Sequence, residues 1–139
     1  PKIGRLIQRF GERKSLIFEY VGLSMIFAGY AFVESSTVAV FLYIADHLFF
    51  SIAIALKTYF QKIADPADIA SSAGVSFTIN HIAAVFIPVV FGLIWLYSPS
   101  LVFLAGAGMA CVSLLLAFNM PSEPTPGNEV LMGKVKNYI

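Results

Sequence analysis

Charge is what this sequence has least of. Only 12% of its 139 residues are Asp, Glu, Lys or Arg, against about 25% in an ordinary soluble domain. Cysteine is nearly absent: Cys111 stands alone, so no intramolecular disulfide or thiol pair can form. There is no His-Glu-x-x-His zinc motif, no catalytic cysteine pair and no serine-nucleophile motif. These absences argue against an enzyme, and no cofactor or metal site is expected. No basic face on a soluble module is present, which removes nucleic acid as a partner. Soluble domains, low-complexity tracts and short repeats are also missing.

What the sequence has in abundance is hydrocarbon. Hydrophobic residues make up 58% of the chain and its mean hydropathy is +0.82. Four apolar runs, Ser15 to Val33, Val38 to Leu56, Gly74 to Tyr97 and Leu101 to Phe118, are long enough to cross a bilayer, which takes roughly 20 helical residues. Each is expected to be helical, because an isolated strand would leave its backbone amides unpaired in lipid. The fold class expected is an all-α integral membrane protein of four antiparallel transmembrane helices with the lipid bilayer as its surroundings. The first run is too long for a cleaved signal peptide, and no small-residue cleavage site follows it.

The basic residues orient these helices. Lys2, Arg5, Arg9, Arg13 and Lys14 precede the first run, Lys57 and Lys62 lie between the second and third, and Lys134 and Lys136 follow the fourth. The connections Glu34 to Thr37 and Ser98 to Ser100 contain none. By the positive-inside rule both termini and the middle loop are cytoplasmic, and Trp95 and Tyr97 lie at the outer interface. The chain divides into a cytoplasmic segment 1–14, helices over 15–119 with an inner loop at 57–73, and a tail at 120–139.

The two short outer turns make consecutive helices neighbours. In the loop "DPADIASS", Asp65 is placed as an N-cap, Pro66 as the first helical residue and Asp68 as a capping-box acid, starting a short helix or an extension of the third span. Pro88 is expected to shape the third span by a kink. "MPSEPTPGNEV" ends the fourth helix, and the tail after it is expected to be mobile. In the fourth span Gly106 and Ala110 form a small face suited to close helix contact.

Polarity within the spans is uneven. The fourth has no charged residue, and the first has only Glu19, read as an interface residue near the cytoplasmic end. Asp46, His47, Asn80 and His81 all fall in the second and third. An ionised Asp at mid-bilayer costs about 2.5–3.5 kcal/mol on insertion scales, so Asp46 needs a partner, a cavity or water. Tyr43, Asp46, His47, Phe50 and Ser51 share one helical sector, and Ser76, Asn80, Ala84 and Pro88 recur every four residues. Asp46 and His47, with His81, are candidates for binding a solute or coupling to protons, since a carboxylate beside an imidazole can hold and release a proton near neutrality. Asn80 suits an interhelical hydrogen bond.

The segment "GRLIQRFGERK" (Gly4 to Lys14) resembles the cytoplasmic loop signature of the major facilitator superfamily: Gly, three residues, Asp, a basic residue, any residue, Gly, then basic residues. Gly4, Arg9, Gly11 and Arg13 fall in register, while Gln8 replaces the Asp and Glu12 the first basic residue after the second Gly. Because four spans follow, the resemblance is to the second copy of the signature, with the spans as helices nine to twelve of a twelve-helix fold. "INHIAAVFIPVVFGLIW" (Ile79 to Trp95) likewise looks like an eleventh helix of bacterial members. The resemblance implies a secondary active transporter in a bacterial inner membrane, working by alternating access, with helices ten and eleven lining its cavity. Its further partners would be a small solute, protons and an N-terminal half not contained in this chain. The chain opens at Pro1 inside a basic loop and is read as the C-terminal piece of something larger. The alternatives are an independent four-helix protein, such as a small dimeric multidrug-type transporter, and a structural membrane subunit.

Overall fold

The structure is a computed structural model and describes residues 7, 9–126 and 128–132. Its helices are α1 (Glu12–Phe32), α2 (Ser36–Phe50), a 3-10 turn (Ser51–Ala53), α3 (Ile54–Ile63), α4 (Ile69–Tyr97) and α5 (Pro99–Phe118). With α2, the 3-10 turn and α3 taken as one stretch, four helices are long and apolar enough to cross a membrane. No strand occurs among the described residues, apart from an isolated bridge between Thr125 and Asn128.

The helices outrun the apolar runs at most ends, because hydropathy marks the hydrocarbon slab and hydrogen bonding continues past it. α1 begins at Glu12, three residues before its apolar run, and α3 carries the second stretch to Ile63. Its last turns bury Ala55 and Tyr59 and expose Leu56 and Lys57, the pattern of a helix lying against a bundle. In the loop between α3 and α4 the expected start is corrected. Asp65 Oδ1 accepts from Ala67 N at 2.9 Å, closing a turn through Pro66, and the N-cap is Asp68. An Asp side chain satisfies a donor two residues on as readily as it caps a helix. From Ile69 the helix then runs unbroken to Tyr97, with Pro88 inside it. A single extended residue, Ser98, joins α4 to α5, whose first position is Pro99.

α1 and α5 form the main packing pair. Arg13 Nη2 donates to Phe118 O at 3.1 Å, the Cys111 thiol lies 3.6 Å from Ser24 Oγ, and Gly106 faces the Phe27 ring. Tyr30 stacks on Phe103 with ring centres 4.9 Å apart. Gly106, Ala110 and Ala117 are buried in this seam, where small residues let the backbones approach. α2 leans on the other side of α1, with Phe49 beside Phe18 and over Gly22, and Tyr30 Oη donating to Ala39 O. α4 is different. It touches α5 near their shared turn, where Trp95 meets Phe103 edge-on, and none of its residues is buried.

One end of the bundle is tied together, and we call it the lower end. The Ile7, Leu16, Ala55, Tyr59, Ala117 and Met120 side chains form one apolar cluster there. The tail, expected to be mobile, folds back over this cluster through residue 132. Asn119 O accepts from Leu131 N, Asn119 Oδ1 accepts from Met132 N, both at 2.8 Å, and Tyr59 Oη donates to Glu129 O. Pro121 and Pro124 are buried in the fold-back: proline ends a helix but packs well as an apolar ring.

Candidate functional site

Asp46 and His47 lie on α2, five and four residues before the 3-10 turn. His47 Nδ1 sits 3.0 Å from Tyr43 O and 3.7 Å from Asp46 Oδ2. The shorter contact is the hydrogen bond, with Nδ1–H as donor; the longer one is beyond hydrogen-bond reach. The Tyr43 ring packs against the imidazole at 4.2 Å and fixes its orientation. His47 is 59% exposed and Asp46 27% at the side chain, so the imidazole stands in the open and the carboxylate beside it is half-buried.

His81 on α4 repeats this arrangement. Its Nδ1 lies 2.9 Å from Phe77 O, and the Phe77 ring packs on it at 3.9 Å. In both places an aromatic residue four positions earlier holds the ring, and the backbone carbonyl accepts a hydrogen bond from Nδ1–H. Nε2 is left with its lone pair directed away from the helix, able to accept a proton or a hydrogen bond. Asn80, beside His81, is exposed, as are Ser76, Ala84 and Pro88 of the same row.

These groups are not brought to one point. Among the described residues, Asp46 and His81 share no hydrogen bond or ion pair, and α2 and α4 do not pack on one another. The reason is α1, which takes α2 on one side and α5 on the other and leaves α4 attached through α5. Two apolar grooves border α1, one of about 420 Å³ between Phe10, Phe18 and Ile52 and one of about 340 Å³ between Phe27, Phe91 and Phe103; neither includes Asp46, His47, Asn80 or His81. No group of three or more His, Cys, Asp or Glu able to hold a metal ion occurs among the described residues.

The loop-signature positions have structural work at the lower end. Gly11 has φ +83° and ψ 154°, a backbone setting open essentially to glycine alone, and it joins the turn ending at Phe10 to α1. Arg13 fills an orphan carbonyl at the end of α5 and reaches Ser122 Oγ at 3.5 Å. Arg9 is exposed, and Gly4 lies outside the described residues.

Three features escaped the sequence reading. Glu12, a departure from the signature, is buried and paired with Lys62, Oε1 to Nζ at 2.6 Å. Glu19, read as an interface residue, is buried inside the helix seam with 2% exposure. Gly22 is buried under Phe49. Their signal was present: Glu12, Ser15, Glu19, Gly22 and Ile26 are spaced three, four, three and four apart, one helix face of small and acidic residues.

No known protein family, characterised protein or solved structure matches the chain.

Proposed function

We propose that this chain is part of a secondary active transporter of the major facilitator type, contributing its last four helices, in antiparallel order with both termini cytoplasmic, to a carrier that moves a small solute by alternating access. One observation carries the reading. α1 and α5 bury each other, whereas His47, Asn80 and His81 stand on faces of α2 and α4 that the rest of this chain leaves open, with Asp46 half-buried beside His47. In a bilayer such groups need a polar partner or a water-filled cavity. A second set of helices across a midplane cavity meets that need, and carriers of this kind hold substrate and coupling ion there. The opposed contacts of α1 with α5, residue 13 to 118 at one end and 30 to 103 at the other, support the antiparallel order.

In this reading the solute or a proton engages Asp46 and the free Nε2 atoms of His47 and His81. Tyr43 and Phe77 are positioning residues that keep the imidazoles turned outward. The test is reconstitution of the full-length protein in vesicles containing a pH-sensitive dye, with radiolabelled sugars, organic anions and lipophilic cations as probes. Asp46→Asn is expected to lower proton-linked flux at least about tenfold, one order for each ~1.4 kcal/mol of lost stabilisation. Unchanged flux and unchanged proton movement would remove Asp46 from the site.

A further inference from the structure

Glu19 lies on the inward face of α1, one turn after Ser15 and one turn before Gly22. Helices of this chain alone close it off to 2% exposure, and its Oε2 has no hydrogen-bond partner. The facing wall is located by its flanks. Ile52, in the 3-10 turn, borders a groove with Ser15 and Phe18, and the Phe49 ring covers Gly22. The stretch from Phe49 to Ile52 therefore passes α1 at the level of Glu19, with α5 closing the other side.

The charged and titratable groups of these elements are engaged elsewhere or exposed: Arg13 is on Phe118 O, and Lys57 of α3 is exposed. Glu12 and Lys62 hold each other, and Tyr59 donates to Glu129 O. Asp46 and His47 form their own contact further along α2, and Lys14, which borders the same groove as Ser15 and Ile52, is exposed and pairs with no carboxylate among the described residues. Tyr20 follows Glu19 directly and lines the groove toward Phe27. α5 has no charged residue, and the Cys111 thiol is on Ser24. Among the described residues no cation pairs with Glu19. A carboxylate enclosed without counter-charge, one oxygen lacking any donor, is strongly disfavoured, and a bound proton removes that charge.

The wall beside Glu19 is also where the helix changes its hydrogen bonding. The Ser51 N–H is shared between His47 O and Phe49 O, and the turn at Ser51–Ala53 is 3-10 before α3 resumes. Such a change inside a long helix is a place where it can bend. We propose that Glu19 is an internal proton-binding site, carrying its proton while α1 is packed against the Ser51–Ala53 turn and α5, and releasing it to water when bending at that turn opens the seam. The closed seam then binds one proton more than the open one, so raising the pH favours opening. The proposal rests on helix packing and is independent of the transport reading.

Infrared spectroscopy of the full-length protein in lipid vesicles tests it without any solute. At neutral pH the wild type is expected to show the C=O absorption of a neutral carboxylic acid, shifted downward in D₂O, and Glu19→Gln to lose it. Glu19→Gln should also melt at a temperature that changes less than the wild type's as the medium is made alkaline. Should the Gln variant not accumulate, Glu19→Asp serves instead, with the band expected to move. No neutral-acid band in the wild type, or a band left unaltered by the substitution, would overturn the proposal.

Discussion

Lys62 Nζ stands 2.6 Å from Glu12 Oε1, and this ion pair fastens the start of α1 to the end of α3. The two partners are unequal, since the Glu12 side chain is 4% exposed and that of Lys62 49%. The pair therefore falls between a surface bridge and a buried one. Lys62→Met is expected to cost about 1–3 kcal/mol, because it strands a buried carboxylate. Adding Glu12→Gln should recover much of that loss. Thermal melting of both single variants and the double variant measures the coupling, and strict additivity would refute it.

Gly11 has open space around it, so a methyl group there would meet no atom within 4 Å. Its restriction is entirely the backbone, at φ +83°. Gly11→Ala should destabilise the lower end by about 1–3 kcal/mol through that setting alone. A melting temperature equal to wild type would show that the joint can adopt another path.

Gly22 presents the opposite case, with an ordinary helical backbone and no room. A Cβ would overlap the Phe49 ring, which itself packs on Phe18 at 5.1 Å between centres. Gly22→Val is expected to cost about 1–3 kcal/mol by overpacking. Phe49→Leu in the same chain should relieve part of it, and a double variant no more stable than Gly22→Val alone would place the clash elsewhere.

The folded-back tail is held by Asn119 and by one phenol, that of Tyr59. Tyr59→Phe removes the donor to Glu129 O and should loosen residues 128–132 by about 0.5–1.5 kcal/mol. Hydrogen exchange reads this directly, since the Leu131 and Met132 amides are bonded to Asn119. Faster exchange at those two amides, with α1 and α5 unchanged, is the expected result. Exchange as slow as in the wild type would mean that Asn119 holds the tail unaided.

The lower end shows how far the sequence could be read. Glu12 stood out as a wrong residue in a basic signature, but only the return of α3 beside α1 brings Lys62 to it. The proline-rich tail was legible as the end of a helix. Its fold-back was not, because it depends on Tyr59 and Asn119 meeting distant backbone atoms. Glu19 was legible as an acid on a span and was read as an interface residue, while the periodic row around it went unread as a packing face. Which of lipid, headgroups or helices that face met was open until α2 and α5 were in position.

Hydropathy by itself determined the four helices and their approximate limits, since backbone amides in hydrocarbon have no stable arrangement here other than a helix. It also determined that polarity is concentrated in Asp46, His47, Asn80 and His81. The tertiary structure decided the order of packing, with α1 between α2 and α5 and with α4 at the edge. That order follows from side-chain shape and pairing at Gly22, Gly106, Arg13 and Glu12, which lipid-like solvents do not specify by hydrophobicity. It separates the α2 pair from His81 and encloses Glu19.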